Sequence, residues 1–505
     1  MKNVRCALFA TIAGALAVAA FAPLEAFPLA FVSLAWLAAL LERAQSARAG
    51  FGIGFAWGLG AFGAGVSWLY VALERYGGMP PLLAAFAIFL FCAYLSLYPA
   101  LAGAFYARWR AGGVLQRALL FAAAWLLTEW LRGVLFTGFP WLSIAYTQTP
   151  PSPLAGYFAL IGVYGVGALV AFVAGLGAFC ASACARKTAV LFVLPAALVF
   201  AVGWSLSRHA WVEPDGEPLA VSLAQPNIEQ SLKWDPASFA ETLRINADLV
   251  HAARGDVVVL PETALTALDW LPEGYLDMLG GIVGERGGVL LTGAFVRETD
   301  QYRNSAIVLG AGGERYAKRH LVPFGEYSPP FFGWFYRLAN IPMSQQVPGE
   351  REQAPFLLHG RRIAVNICYE DVFGAELIDS LPQAGLMLNI SNLAWYGDSF
   401  AQPQHLQIAR VRAMESGRPM LRSTNTGMTA LALPDGSVPA ALPAFTRGVL
   451  ETSVSAYRGD TPYARLGDAP ALAGASIVLG ALALMRWRRC FAFRRSHPDS
   501  GCKCP

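Results

Sequence analysis

The chain has 505 residues, of which 55% are hydrophobic and 14% are charged, and its mean hydropathy is +0.44. Average soluble domains contain about 25% charged residues, so this composition excludes a single water-soluble domain and calls for lipid as part of the solvent. The formal net charge is +4, but the arginines cluster beside hydrophobic runs and form no basic stripe, which argues against a nucleic-acid partner.

Eight apolar runs are candidates for membrane helices, since one span needs about 20 apolar residues. Seven of them precede residue 212, and the eighth follows a long polar insertion. The first run, with Lys2 and Arg5 before it, has the composition of a signal peptide. The runs that follow it favour an uncleaved first helix instead. The eight runs occupy residues 5–23, 28–42, 52–73, 82–106, 118–135, 158–181, 188–207 and 469–484.

Lysine and arginine residues mark every second loop between these runs, and loops of this kind stay in the cytoplasm. The remaining loops are nearly bare, with Glu25 in one and Glu74 beside Arg75 in another. We therefore expect both termini in the cytoplasm of a bacterial inner membrane and the polar insertion in the periplasm. The residues that set this orientation are Arg43, Arg48, Arg108, Arg110, Arg117, Arg186, Lys187, Arg486, Arg488, Arg489, Arg494 and Arg495.

The polar insertion has the pattern of one α/β domain with buried strands. Short β-rich runs at 256–260, 288–292, 305–309, 362–366 and 386–390 alternate with amphipathic stretches, of which 238–253 and 404–416 are the clearest helices. We divide the chain into a seven-helix membrane domain (1–211), a periplasmic catalytic domain (212–460), a C-terminal membrane helix (461–487) and a basic cytoplasmic tail (488–505).

Three of the predicted strands end close to a reactive side chain, namely Glu262, Lys318 and Cys368. Each alone has an ordinary structural explanation as a strand cap, a solvated ammonium or core filler. Cys368 is the only cysteine of the insertion, so it has no disulfide partner there. A thiol with a pKa of about 8.5 needs a base or a cation to become a good nucleophile. A glutamate and a lysine supply both, so the three together indicate a nucleophilic enzyme.

This sequence resembles the nitrilase superfamily, whose Glu-Lys-Cys triad occurs in the same order. Three further segments make it similar to the apolipoprotein N-acyltransferase family: KRHLVPFGEY at 318–327, NISNLAWYGDS at 389–399 and TEWLRGVLFTGFPW from Thr128. The resemblance extends over essentially the whole chain. It implies a multi-pass α-helical membrane domain of about eight helices and a nitrilase-like α-β-β-α sandwich.

The resemblance also implies a two-step acyl transfer. The histidines show no metal-ligand spacing and no nucleotide-binding loop is visible, so we expect neither a metal nor a cofactor. Cys368 attacks an ester of a phospholipid donor, for which we expect phosphatidylethanolamine, and a thioester forms. The N-terminal amine of a diacylglyceryl apolipoprotein then accepts the acyl group. Glu262 is expected to act as the general base, while Lys318 and the backbone N–H of Tyr369 stabilise the oxyanion.

The same resemblance assigns supporting residues. Glu326 is expected to keep Lys318 charged or to position the amine, with a surface acid as the alternative. Glu370 is expected to order the loop of Cys368. The aromatic segment 331–343 is interpreted as a mobile arm over the acyl chain, with a core helix as the alternative. Five further residues are expected in substrate contacts or in a lid: Trp141, Trp234, Asn304, Trp334 and Trp395.

Two alternatives belong to other functional classes. A transporter would place ionisable residues in mid-membrane and show repeated halves, neither of which the sequence suggests. A membrane-anchored nitrilase-type amidase would share the triad and differ only in its acceptor, and the many helices favour a lipid substrate over it. Glu129 and Arg132 lie one helical turn apart and are expected to pair, unless Arg132 binds a headgroup phosphate.

Overall fold

The structure is a computed structural model that describes residues 2–182, 186–233, 235–298, 301–310, 313–328 and 346–496. Its N-terminal part is a bundle of helices, and each predicted apolar run of this part overlaps a helix or, for the third run, a bent helix pair. The first helix ends at Val18, five residues before the end of its predicted run. The bundle contains α1 (Lys2–Val18), α2 (Pro28–Glu42), α3 (Ala47–Gly65), α4 (Leu69–Val71), α5 (Pro81–Trp109), α6 (Val114–Val134), α7 (Phe158–Ser182) and α8 (Arg186–Leu206).

Four segments are helical, long and apolar enough to cross a membrane: Pro81–Trp109, Val114–Thr137, Ala155–Ala181 and Ala469–Arg488. The pair Ala47–Gly65 and Leu69–Tyr76 is bent by 63° and would make a fifth span. The other apolar helical stretches of the bundle, at 4–18, 28–42 and 192–206, are shorter. For example, the 15 residues of α2 rise about 23 Å, which is less than the roughly 30 Å of a hydrocarbon core. Length and composition therefore support four or five spans and do not confirm about eight.

The catalytic domain contains two β-sheets. Its strands are β1 (Glu213–Gln225), β2 (Val257–Val259), β3 (Leu265–Ala267), β4 (Val289–Glu298), β5 (Gln301–Leu309), β6 (Arg315–Ala317), β7 (Phe356–Leu358), β8 (Arg361–Ile367), β9 (Leu386–Ser391), β10 (Met420–Thr424), β11 (Ala430–Ala432), β12 (Ala440–Ala441) and β13 (Gly448–Arg458). The first sheet has the order β13-β1-β2-β4-β5-β6, with β3 beside β4, and the second has the order β12-β11-β10-β9-β8-β7. Strands β1, β2 and β4 run parallel, as do β8, β9 and β10.

The two sheets pack face to face, and helices cover their outer faces. Apolar side chains such as Leu291 of β4 and Leu388 of β9 fill one core between the sheets. A second core lies under two helices on the first sheet, and a third lies under one helix on the second sheet. The predicted α-β-β-α sandwich is therefore confirmed. The remaining helices are α9 (Gln230–Lys233), α10 (Phe239–Ala252), α11 (Tyr275–Gly284), α12 (Gly374–Leu377), α13 (Ala401–Ser416), α14 (Pro462–Leu466) and α15 (Ala469–Ser496).

Helix α13 lies between the second sheet and the bundle. We predicted an amphipathic helix over 404–416; the helix is confirmed, but all of its 16 residues except Pro403 and Arg410 are buried. It has no solvated face because the bundle covers the side that faces away from the sheet. Its polar side chains instead bind bundle atoms: Gln407 accepts from the Ala22 N–H at 3.1 Å, Gln404 accepts from Trp141 Nε1 at 2.8 Å, and Arg412 donates to the Tyr146 hydroxyl at 2.9 Å.

A kink in α7 fixes the bundle to this helix. Gly162 has φ +60°, and a Cβ there would lie 2.2 Å from the ring of Tyr463, so only glycine fits this position. The Glu415 carboxylate of α13 accepts the freed N–H of Val163 at 2.7 Å. Arg412 pairs with the same carboxylate and leaves no buried charge uncompensated.

Glu129 and Arg132 of α6 pair at 3.5 Å, as predicted. Arg132 also donates to the carbonyls of Phe139 and Trp141, and Glu129 accepts the N–H of Ile144 at 3.0 Å. Arg132 is only 2% exposed. The pair therefore anchors the irregular loop after α6, and the structure favours this role over binding of a headgroup phosphate.

Candidate active site

The three predicted triad residues lie at strand ends of the two sheets. Glu262 follows β2, Lys318 follows β6 and Cys368 follows β8. Lys318 Nζ lies 3.2 Å from Glu262 Oε1 and 2.6 Å from Glu326 Oε1. Because β2 and β6 belong to the first sheet and β8 to the second, the site straddles the gap between the sheets.

Cys368 begins a 3-10 turn with a strained backbone. Its φ is +54°, a value that is uncommon for a residue with a side chain and that concentrates at functional sites. Asn389 Nδ2 donates to the Cys368 carbonyl at 3.1 Å and holds this conformation. The side chain is half-buried, so the thiol remains within reach of a substrate.

The protonation states around this thiol follow from burial and from neighbouring charges. Burial, reinforced by the charge of Glu262, raises the pKa of Cys368 well above its ordinary value, although Lys318 acts in the opposite direction. Burial alone would lower the pKa of Lys318, but the carboxylates of Glu262 and Glu326 outweigh it and raise that pKa well above its ordinary value. At neutral pH the site therefore holds a neutral thiol beside an ammonium, and the thiol needs a base.

Glu262 is held in a single orientation by donors on both carboxylate oxygens. Its Oε1 accepts Asn304 Nδ2 at 2.7 Å as well as Lys318 Nζ, and its Oε2 accepts the backbone N–H of Asn392 at 2.8 Å. A carboxylate fixed beside a thiol has the position of a general base. Asn304 therefore contacts the predicted base directly.

Glu370 joins the loop after Lys318 to the strand before Cys368. Its Oε1 accepts the N–H groups of Arg319 at 2.6 Å and His320 at 3.0 Å, and its Oε2 accepts the Ile367 N–H at 2.6 Å. The Tyr316 hydroxyl also donates to it at 3.0 Å. One buried carboxylate thus sets the distance between two reactive loops.

The loop of Cys368 packs directly on the bundle. The Tyr369 hydroxyl donates to the Gly138 carbonyl at 3.2 Å, and its ring lies 6.3 Å from the ring of Phe139. Tyr369 and Phe373 belong to the same apolar cluster as the helices of the bundle. The predicted nucleophile is therefore adjacent to the apolar helical bundle.

The residues expected in a lid differ in their positions. Trp141 is 3% exposed, and its ring lies 5.3 Å from that of His405 at the junction of the two domains, so its role in substrate contact stays a prediction. Trp395 is half-buried and packs edge-on against Tyr76 of the bundle at 5.8 Å. Trp234, Trp334 and the segment 331–343 lie outside the described residues.

Sequence reasoning missed several residues near this centre. Asn392 lies within the quoted segment 389–399, but its N–H was assigned no role. Lys233 is buried, and its Nζ contacts the Thr263 carbonyl at 3.1 Å, while burial lowers its pKa to about 7. Behind the Cys368 turn lies a buried network in which Asp371 binds His405 Nε2 and Arg422 Nη1, each at 2.6 Å.

Within the described ranges, no group of three or more His, Cys, Asp or Glu side chains could hold a metal ion.

Comparison with known proteins gives two family matches that together extend over most of the chain. The model described as apolipoprotein N-acyltransferase N-terminal domain matches residues 13–176, and the carbon-nitrogen hydrolase model matches residues 220–463. An apolipoprotein N-acyltransferase of Nitrosomonas europaea is 43% identical and is aligned over 94% of this chain and 97% of its own. An apolipoprotein N-acyltransferase of Ralstonia nicotianae is 45% identical and is aligned over 94% of this chain and 93% of its own. A solved amidase from Nesterenkonia sp. has 20% identity and a TM-score of 0.36, over 48% of this chain and 92% of the amidase.

Proposed function

This chain belongs to the apolipoprotein N-acyltransferase family, and on that premise we propose how its residues perform the transfer. The enzyme moves an acyl group from a phospholipid to the N-terminal amine of a diacylglyceryl-cysteine apolipoprotein, through a thioester, in the last step of lipoprotein maturation. The structural observation that carries this assignment is the packing of the Cys368 loop on Gly138 and Phe139 of the bundle. An amidase for small soluble amides has no need of that contact, so it is the less well supported alternative.

In the first half-reaction, Glu262 takes the thiol proton of Cys368 as Sγ attacks the ester carbonyl carbon. The raised pKa of Cys368 makes this concerted removal necessary, because little thiolate exists beforehand. The ammonium of Lys318 and the Tyr369 N–H stabilise the oxyanion, a contribution of typically about 3–4 kcal/mol for one such donor. The carbon–oxygen bond to glycerol then breaks, its oxygen takes the proton from Glu262, and a lysophospholipid leaves.

In the second half-reaction, the acceptor amine attacks the thioester carbonyl. An α-amine has a pKa of about 7.7–8.0, so a substantial fraction is neutral near pH 7.5. Glu262 takes the proton that the nitrogen loses and returns it to Sγ as the carbon–sulfur bond breaks. The product is an amide, and Cys368 is restored as a thiol.

Glu326 and Glu370 support these steps in different ways. Glu326 forms the shorter of the two ion pairs to Lys318, at 2.6 Å, and so helps to keep the ammonium charged inside the protein. Glu370 fixes the loops of Lys318 and Cys368 relative to each other. Asn304 holds Glu262, and Trp395 remains a candidate for the wall of the acyl-chain site, together with Trp234 and Trp334.

The chain is a membrane-anchored protein, and the finer arrangement is part of the proposal. We place both termini in the cytoplasm, the catalytic domain at 212–460 in the periplasm, and seven spans before it with an eighth at 461–487. Phosphatidylethanolamine is the proposed donor. A reporter enzyme fused near residue 300 tests this topology. A reporter that is active in the periplasm agrees with the topology, and one that is active in the cytoplasm contradicts it.

The transfer itself is tested with phosphatidylethanolamine that carries a labelled sn-1 acyl chain and a synthetic diacylglyceryl-cysteine peptide. The label should move to the peptide amine, with release of an equal amount of lysophosphatidylethanolamine. Cys368→Ala should abolish both products. Release of free labelled fatty acid without labelled peptide would instead support a hydrolase.

A further inference from the structure

A cavity of about 580 Å³, lined by both polar and apolar side chains, opens between the bundle and the catalytic domain. Arg75 and Tyr76 line it from the bundle, and Gln230, Ala394 and Thr426 line it from the catalytic domain. Its volume is within the roughly 300–1,000 Å³ of typical ligand sites. Among the described residues, none of those predicted for the site lines this cavity.

A short chain of hydrogen bonds joins the cavity wall to Glu262. Gln230 Oε1 accepts Asn392 Nδ2 at 2.8 Å, and the N–H of Asn392 donates to Glu262 Oε2 at 2.8 Å. Asn425 Nδ2 donates to Asn392 Oδ1 at 3.0 Å. A molecule in the cavity that binds Gln230 is therefore linked through Asn392 to the carboxylate that accepts the amine proton.

The wall contains a buried hydroxyl that the free protein leaves unused. Thr426 is 3% exposed, and its Oγ1 has no hydrogen-bond partner among the described residues. Buried polar groups are nearly always paired, so an unpaired hydroxyl on a cavity wall indicates that a ligand supplies the partner. Asn227 and Gln230 add side-chain amides, which can both donate and accept.

The charges on the wall argue against an anionic ligand. Arg75 is paired with Glu229 at 2.6 Å, and Arg447 donates its Nε to the Pro226 carbonyl at 3.0 Å. The three carboxylates on the wall, those of Glu229, Glu241 and Asp398, outnumber these two guanidinium groups. A phosphate would therefore meet a wall with a net negative charge, and an acyl chain would leave the polar groups unpaired.

We propose that this cavity binds the polar peptide segment that follows the N-terminal cysteine of the acceptor. A peptide backbone carries one donor and one acceptor per residue, which matches the amides and the hydroxyl of the wall. The acyl chains remain with the bundle, the amine lies at Glu262, and the peptide leaves past Gln230 and Thr426. The proposal rests on the proposed function, because it assigns a site to the acceptor of that reaction.

The test compares two acceptors: diacylglyceryl-cysteine amide, which has no peptide, and the same lipid on a longer polar peptide. Leu232→Trp fills the cavity, since Leu232 is a lining residue that is 43% exposed. Thr426→Val removes the hydroxyl without changing the shape of the side chain. Leu357→Trp is the matched control, because Leu357 is 57% exposed on β7 and does not line the cavity.

Both cavity variants should raise the KM for the long acceptor by about three- to tenfold, the effect of one or two lost hydrogen bonds. The KM for the cysteine amide and the rate of Cys368 acylation by phosphatidylethanolamine should stay within about twofold, as should all rates of the control. Because the hydroxyl of Thr426 has no partner, Thr426→Val should not lower the unfolding temperature.

Equal changes for both acceptors, or no change in Leu232→Trp, would overturn the proposal. Slower acylation by phosphatidylethanolamine in the cavity variants would overturn it too, because the donor headgroup would then be the occupant. If the unaltered protein forms no thioester at all, the proposed function fails instead, and the acylation rate distinguishes these two failures.

Discussion

Replacement of Glu370 by glutamine should slow formation of the thioester, because this carboxylate sets the distance between the loops of Lys318 and Cys368. All of its hydrogen-bond partners are donors. Three of them are the backbone N–H groups of Arg319, His320 and Ile367, at 2.6, 3.0 and 2.6 Å. Glutamine has nearly the same shape but presents an acceptor on one side only.

The expected magnitude follows from these bonds. If the amide oxygen faces Arg319 and His320, the amide NH₂ faces the Ile367 N–H, and a buried donor without a partner costs about 1–3 kcal/mol. The two remaining bonds lose a charged acceptor and weaken by about 1 kcal/mol each. The sum is roughly 3–5 kcal/mol. Because about 1.4 kcal/mol in the transition state is tenfold in rate, displacement of either loop should cost at least tenfold.

Intact-protein mass spectrometry after rapid mixing with phosphatidylethanolamine measures the rate at which Cys368 is acylated. Glu376→Gln is the control, since Glu376 is about one-third exposed and binds His320 Nδ1 of the same loop at 3.0 Å. Exposed ion pairs contribute about 0–1 kcal/mol, so this control should stay within about fivefold of the unaltered protein. If Glu370→Gln retains the rate of its control, the loop-positioning role is refuted.

Three other changes test separate parts of the structure. Glu326→Gln should lower turnover by about 10- to 100-fold by weakening the field that keeps Lys318 charged, and undiminished turnover would reduce Glu326 to a surface acid. Arg412→Met should cost about 3–5 kcal/mol in chemical unfolding because it leaves Glu415 unpaired, and the double variant with Glu415→Met should recover part of that loss. The pKa of Lys233 is lowered to about 7 on folding, so the unfolded state binds more protons between pH 7 and 10. Between pH 7 and pH 9 the free energy of unfolding of the unaltered protein should therefore rise by about 2 kcal/mol more than that of Lys233→Met. Parallel curves of unfolding free energy against pH for the two proteins would contradict this.

The strands could be predicted from the sequence because the strands of a buried sheet consist of short, continuous hydrophobic runs. The run at 256–260 contains β2, the run at 362–366 lies within β8, and Glu262 and Cys368 follow these strands as expected. Parallel strands buried on both faces read as continuous apolar segments, which few other elements imitate. The position of the triad residues followed from the same signal.

The helices carried less information about their surroundings. Helix α13 was predicted to be amphipathic, but its polar side chains face the bundle instead of water, and a single sequence does not distinguish these two environments. Likewise, the apolar run that contains α2 indicates burial, yet it is too short to establish a full span.

The parts of the site that sequence reasoning missed depend on backbone geometry. Asn392 contributes its main-chain N–H to Glu262, which any residue but proline could do, so its side chain gave no signal for this contact. The positive φ of Cys368 could not be predicted from the sequence either, because cysteine is not a residue that favours this conformation. Such features follow from tertiary structure alone.

The central claim is that Cys368 carries the acyl group between the two substrates. The most direct test is mass spectrometry of the purified protein after incubation with phosphatidylethanolamine and again after addition of a diacylglyceryl-cysteine peptide. We expect a hydroxylamine-labile acyl adduct on Cys368 that disappears as the peptide amine becomes acylated. An adduct that is lost only to water would indicate a hydrolase, and acylated peptide without any adduct on Cys368 would contradict the mechanism.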